Sequence, residues 1–254
     1  IRKLAARWLL RLLRRRSLGV VMQRPFDPVA RHEGRDWPLF GYTMVGHHRL
    51  DNIQYCIEQI LRDDIPGDLI ETGAWRGGAT IFMRAVLAQH QVRDRIVWVA
   101  DSFEGLPKPK SPTDGWDLSG TSCLKIPLEQ VQDNFRRFGL LDDQVRFLKG
   151  WFCDTLPGAP IQQLALLRLD GDLYHSTQDA LEALYHRVAP GGFVIVDDYF
   201  AWPSCRRAVQ DFLAKHQLQV DICRIDWTGV FWRKPLAAIG SAPPARHELA
   251  GVSS

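Results

Sequence analysis

The strongest constraint on the fold is an alternation that begins at Asp68, in which short apolar runs are followed by segments with helical spacing. Asp68–Thr72 is a short run entering a glycine turn, and Gly78–Gln89 reads as a helix. Arg95–Ala100 is a second strand, Leu128–Phe138 a helix and Val145–Leu148 a third strand. Leu164–Leu169, the helix Ser176–Val188 and the strand Phe193–Val196 follow, the last opened by Pro190-Gly191-Gly192. Ser204–His216 is helical, and Val220–Ile225 with Gly229–Arg233 suits a closing antiparallel pair. Strands that alternate with helices build an α/β domain, a mostly parallel sheet with helices on both faces. Seven runs predict a seven-stranded sheet. At 254 residues, 46% of them apolar and 24% charged, the chain suits one such domain with decoration.

The first strand ends in Glu71-Thr72-Gly73-Ala74-Trp75-Arg76-Gly77-Gly78. Glycines after a strand let the backbone approach a ligand, and the helix N-terminus that follows favours an anionic group. The spacing is G-x-x-x-G-G, not the G-x-G-x-x-G of nicotinamide-binding turns, and no Gly-Lys-Ser/Thr makes a phosphate loop. Asp101 ends the next strand, ahead of Ser102 and Phe103. An acid there can accept both hydroxyls of a ribose, and Phe103 is placed to pack on an adenine; the competing reading makes Asp101 a turn cap. Together the two features suggest an adenosine-containing cofactor without a pyrophosphate, a description that S-adenosylmethionine meets.

The sequences Leu169-Asp170-Gly171-Asp172 and Val196-Asp197-Asp198-Tyr199 each follow an apolar strand, and one helix separates those strands. If the strands are neighbours, about 4.8 Å apart, Asp170 and Asp197 converge at one rim. Carboxylates gathered in this way repel unless a cation neutralises them. Such hard oxygen ligands suit Mg²⁺, Ca²⁺ or Mn²⁺. Asp172 is then left beside the cluster as a base. The bland alternative is a set of solvated turn residues. His47 and His48 are adjacent and point apart, a poor ligand pair, and His175 is placed to cap or orient the next helix.

Outside the alternation, residues 1–41 form an N-terminal extension in which the first nineteen carry a charge of +7, leaving −4 for the rest of the chain. Residues 1–18 read as a helix with Leu4, Trp8, Leu9, Leu12 and Leu13 on one side. Such a helix suits docking on the domain, a second copy of the chain in a homo-oligomer, an acidic partner or the surface of an anionic membrane. Residues 19–50 read as an irregular lid or linker, with a helix over Leu50–Leu61, and the tail 236–254 as disordered. The acidic body argues against nucleic acid as partner. Five unpaired cysteines, no run of roughly 18 apolar residues and no secretory signal predict a cytoplasmic protein. The long polar stretch Lys108–Pro127 predicts a functional loop.

With these residues assembled, the chain resembles the macrocin O-methyltransferase family, enzymes that methylate sugar hydroxyls on antibiotics of the macrolide and aminocoumarin type. The resemblance rests on YTMVGHHRLDNIQYCIEQI (42–60), GDLIETGAWRGGATIFMRAVL (67–87), VADSFEGLPKP (99–109), LRLDGDLYHST (167–177) and GGFVIVDDY (191–199), in that order. It implies a Rossmann-like class I methyltransferase domain over residues 42–235. It further implies S-adenosylmethionine as cofactor, held by the turn Glu71, Thr72, Gly73, Ala74 and by Asp101, Ser102 and Phe103, with Thr43 and Met44 closing over the methionine end. Asp170, Asp197 and Asp198 would hold Mg²⁺ or another divalent metal, Asp172 would be the general base, and the Lys108–Pro127 loop would cover a glycoside acceptor. The rival readings are a catechol-type metal-dependent O-methyltransferase using Trp116, Phe152, Tyr199 and Trp202, a non-catalytic glycan- or lipid-binding module and, disfavoured by the acidic body, an RNA methyltransferase.

Overall fold

The computed structural model describes residues 25–110, 112–114 and 117–236. The expected basic helix, Trp116 and the tail beyond Leu236 lie outside the described residues. A seven-stranded sheet runs through the domain in the order β3-β2-β1-β4-β5-β7-β6. Its strands are β1 Asp68–Thr72, β2 Val97–Asp101, β3 Val145–Lys149, β4 Leu164–Leu169, β5 Val188–Val196, β6 Cys223–Arg224 and β7 Val230–Arg233. The first five are mutually parallel, and β7 pairs antiparallel with both β5 and β6.

The longer helices are α1 Pro28–Glu33, α2 His47–Arg62, α3 Gly78–Gln89, α4 Leu128–Arg137, α5 Phe152–Thr155, α6 Tyr174–Leu184 and α7 Pro203–Lys215. On one face of the sheet, Ile53, Ile57 and Ile60 of α2 and Met83 and Leu87 of α3 pack on Leu69, Val97, Leu166 and Ile195. On the other, Leu181 and Leu184 of α6 and Val209 and Phe212 of α7 pack on Ile70, Leu167, Val194 and Val196. Every residue of β4 is buried, because helices cover a parallel strand on both sides and leave it no solvent-facing side.

Chain order reverses between β1 and β4. From β1 the chain steps outward to β2 and β3, then crosses back to β4 and continues the other way. The loops leaving neighbouring strands at such a switch point diverge and open a crevice at the carboxyl ends. Here Gly73 N–H donates to the Ala100 carbonyl (2.8 Å), Asp170 N–H to Thr72 (2.9 Å) and Asp197 N–H to Leu169 (2.9 Å), so four strand ends finish level.

Several elements differ from expectation: the helix expected over Ser176–Val188 spans Tyr174–Leu184 and ends in a 3-10 turn, Tyr185–Arg187, and α5 was not expected. The strand expected over Phe193–Val196 starts at Val188, with an irregular register against β4. Pro190-Gly191-Gly192 belongs to it because Gly191 N–H donates to the Lys234 carbonyl and Lys234 N–H returns to Gly192. The strand expected over Val220–Ile225 shrinks to Cys223–Arg224, an exposed edge. The segment read as irregular holds α1, and its signals are all in the sequence. Asp27 accepts from the N–H groups of Val29 and Ala30, Pro28 opens the first turn, and Gly34 closes the helix at φ +66°. No helix among the described residues is long and apolar enough to cross a membrane.

Candidate active site

Two adjoining cavities open at the switch point. The first, about 310 Å³, is lined by Met44, Gly73, Asp101, Ser102, Leu106, Trp151, Phe152, Asp172 and His175 among others. Gly73 has φ +96°, and a Cβ there would run into the Asp170 carbonyl oxygen, so only glycine lets β1 turn this close to β4. Asp101 is both a wall of the cavity and an organiser of the turn. Its Oδ2 accepts from the N–H groups of Ala74 (2.7 Å) and Trp75 (3.3 Å), and its Oδ1 from Phe103 N–H (2.7 Å). Burial pushes its carboxyl up while those three amides hold it down. The turn-cap reading of Asp101 and the ligand-facing one are therefore compatible.

Phe103 is not where an adenine could meet it. At φ +58° its ring turns inward, packing with Val131, Phe135 and Phe147, and it lines neither cavity. Trp151 and Phe152, which sequence reading did not place beside a cofactor, line the first cavity together with Trp75. Thr72 is also withdrawn from it, its hydroxyl donating to the Arg168 carbonyl at 3.3 Å. Thr43, Met44, Glu71 and Ala74 line the second cavity, of about 350 Å³.

That second cavity holds the acids. Suitable oxygens of Asp170, Asp197 and Asp198 lie within 4.8 Å of one another, with Asp172 in the same wall. Beneath them is a residue that sequence reading passed over. Arg168, fully buried one residue before the end of β4, donates to Glu71, to Asp197 and to Asp170 (2.7 Å). Arg49 of α2 donates to the other oxygen of Asp197 and lies 3.0 Å from Asp226 Oδ2. Glu71 also accepts from the Thr80 hydroxyl. Its position explains its burial: it is a partner of Arg168 first, and only its cavity-facing surface is open to a ligand. A lone arginine in Leu164-Ala165-Leu166-Leu167-Arg168-Leu169 was the available signal, since a charge on a doubly covered strand must be paired.

Two arginines do not balance these acids. Burial, followed by the nearby charges of Asp170 and Asp197, pushes Asp172 up to about 8, and the Trp202 side chain only partly offsets this by hydrogen bonding. Burial pushes Glu71 up to about 7 against the pull of Arg168. Asp198 rises well above the usual carboxylate range, through burial and the charges of Asp172, Asp170 and Asp197. A carboxyl raised in the fold binds its proton more tightly there than in the unfolded chain, so stability is complete at low pH and lost as pH climbs through the folded value. The expected result is a melting temperature, in chelator, several degrees lower at pH 9 than at pH 6. An unchanged melting temperature across that window would show the acids to be neutralised already.

Around this cavity stand Trp37, Trp75, Trp202 and Trp227, of which only Trp202 was anticipated; Tyr199 is buried in the core. Leu118 and Leu124 bring the Lys108–Pro127 segment over the cavity, while Lys108, Lys110 and Asp114 cover the first. Asp114 is buried and accepts from the N–H groups of Lys110 and His175, so the His175 backbone, on the first turn of α6, is fixed by this loop. His47 does not meet His48; its Nδ1 lies 2.9 Å from Nδ1 of His32.

A family model described as macrocin O-methyltransferase (TylF) matches residues 2–234. The chain belongs to that family. As a macrocin-type O-methyltransferase it is 57% identical over 217 residues to an 8-demethyl-8-(2,3-dimethoxy-alpha-L-rhamnosyl)-tetracenomycin-C 4'-O-methyltransferase of Streptomyces olivaceus, covering 84% of this chain and 83% of that one. It is 48% identical to a mycinamicin III 3''-O-methyltransferase of Micromonospora griseorubida, over 85% and 87% of the two chains. Among solved structures it is similar to the O-methyltransferase NovP, with 51% identity, a TM-score of 0.79 and coverage of 82% and 88%. The calicheamicin methyltransferase CalS11, at 20% identity and a TM-score of 0.61, shares the fold. The family match also reaches upstream of Tyr42, where the resemblance by motif begins, so the basic segment falls within the family's length.

Proposed function

We propose that this O-methyltransferase moves a methyl group from S-adenosylmethionine to a hydroxyl of a sugar on a natural product, with a divalent metal, Mg²⁺ by preference, in the acid cluster. The observation that carries the reading is Asp198 Oδ2, a buried carboxylate oxygen with no hydrogen-bond partner, on a residue that clusters with Asp170 and Asp197 and lines the second cavity. A buried anionic oxygen without a donor is costly, and this donor set of three carboxylates suits a hard cation.

Asp170, Asp197 and Asp198 would be the ligands. A cation held there supplies Lewis acidity, lowering the pKa of a hydroxyl that reaches it. Arg168 and Arg49 orient Asp197 from behind, which fixes the rim without filling it. Asp172, in the same wall, takes the proton from the acceptor hydroxyl, and the Trp202 hydrogen bond holds its carboxylate toward the cavity. The deprotonated oxygen would then bond to the donor methyl as the methyl–sulfur bond breaks and S-adenosylhomocysteine leaves with the electron pair on sulfur, a reaction that depends mainly on alignment of the two partners. Asp101 and Ser102 suit the ribose end of the donor and Trp151 and Phe152 its base, with Thr43 and Met44 near the methionine end. The tryptophans around the second cavity offer flat apolar faces to a sugar ring and its aglycone. A sugar acceptor is in keeping with the rhamnosyl group in the name of the 57%-identical relative.

The test is turnover of S-adenosylmethionine with rhamnosylated tetracenomycin-type glycosides and, in parallel, catechol, each in chelator and after Mg²⁺ is restored. Methylation of the glycoside that disappears in chelator and returns with metal is expected, together with micromolar binding of S-adenosylhomocysteine, about −8 kcal/mol, and no binding of NAD. Methylation of catechol alone would replace the sugar reading, and undiminished turnover in chelator would remove the metal.

A further inference from the structure

The segment from Pro28 to Gly46 forms one wall of the second cavity through Gly34, Asp36, Trp37, Thr43, Met44 and Val45. Its apolar anchoring is confined to its C-terminal end, where Val45 joins the core and Tyr42 packs edge-on against Phe138. No residue of α1 is buried, and Val29, Trp37, Leu39 and Phe40 are exposed, Phe40 to 84%. What holds the rest, from Pro28 to Gly41, is a set of polar ties. Arg31 donates to the carbonyls of Met44 (3.1 Å) and Val45 (2.6 Å), which stiffens the segment internally. Arg76 reaches Leu39 and Gly41 from the glycine turn, and Trp227 Nε1 donates to the Glu33 carbonyl at 2.8 Å.

Arg49 differs from these because it joins three parts of the molecule at once. Its guanidinium donates to Asp197 at the carboxylate rim and pairs with Asp226 in the β6–β7 turn. It also donates to the Gly34 carbonyl, at 3.4 Å. The close fit extends to the backbone. A Cβ on Gly34 would collide with the Arg49 guanidinium and with Gly46, and a Cβ on Gly46 would collide with Gly34 in turn. Asp226 Oδ1 is occupied by the N–H groups of Thr228 (2.8 Å) and Gly229 (2.7 Å), leaving Oδ2 for Arg49.

We propose that Arg49 is a positioning residue that locks the 28–46 wall to the carboxylate rim and the β6–β7 turn, so that the shape of the acceptor cavity depends on it. Multiple ties from a single planar fork explain why an arginine is used, since a lysine ammonium cannot face three acceptors in fixed directions. The naming of this cavity as the acceptor's rests on the proposed function; the mechanical link does not.

The experiment is hydrogen exchange over residues 28–46 in the full chain without acceptor or added metal, for wild type, Arg49→Met, Arg49→Lys and Asp226→Asn. Asp226→Asn keeps Oδ1 for the turn and replaces only the oxygen that faces Arg49, so it tests the tie with little risk to folding. The expected result is exchange at least tenfold faster in 28–46 for Arg49→Met, and a smaller increase for Arg49→Lys and Asp226→Asn, with α3 and β4 unchanged. The accompanying kinetic result is a KM for the acceptor that rises by a larger factor than kcat falls. Exchange in 28–46 that stays at the wild-type rate in both Arg49→Met and Asp226→Asn would overturn the proposal, as would a rise spread evenly through α3 and β4. If no acceptor is turned over even by wild type, the proposed function fails while the exchange result still decides this one.

Discussion

Replacing Asp172 with asparagine is expected to lower kcat by roughly 10²–10⁴-fold, the usual worth of a general base, without unfolding the protein. Asp172 sits at φ +55°, a conformation that asparagine adopts as readily as aspartate, so the swap adds no backbone strain. It also removes one acid from a cluster that burial and mutual repulsion drive upward. The variant should therefore melt higher than wild type above pH 8 while turning over far more slowly. Loss of activity with gain of stability is an outcome that damage to the fold cannot imitate. Excess Mg²⁺ should not restore the rate, whereas it should partly restore Asp198→Ala, whose lost group is a proposed ligand. Rescue of Asp172→Asn by metal would move that residue from base to ligand.

Arg168→Met is expected to cost about 3–5 kcal/mol, the penalty for removing one partner of a buried charge network. Glu71, Asp170 and Asp197 would each lose a donor, and Glu71 and Asp197 are buried where water does not replace it. Against a total stability of about 5–15 kcal/mol this brings the domain close to unfolding. Urea denaturation followed by circular dichroism should show a lower midpoint with an unchanged slope. Adding Glu71→Gln should recover part of the loss, because it removes one of the orphaned charges. A single variant within about 1 kcal/mol of wild type would mean that the acids are held by something other than Arg168.

The parallel sheet was legible because its cause is local. Leu164–Leu167 and Phe193–Val196 are apolar without alternation, and only a strand covered on both faces needs that pattern. The glycine turn and the acids after β4 and β5 were legible for the same reason, each lying directly past a run that the sequence marks. α1 was missed although Asp27, Pro28 and Gly34 mark its ends. Six residues carry too little periodicity to stand out, and the caps have to be read without it.

By itself, the sequence determined which side chains stand at the strand ends, and hence the kind of chemistry the rim can do. A residue's place along a strand follows from the two-residue repeat and the chain's own order. Partnership across the fold was decided only by the tertiary structure. Arg49 meets Asp197 across 148 positions and Arg168 meets Glu71 across 97. The same packing turns Phe103 into the core and brings Trp151 and Phe152 to the cleft. Such contacts depend on which strands lie side by side and on how far each side chain is removed from water, and neither quantity is a property of any stretch of neighbouring residues.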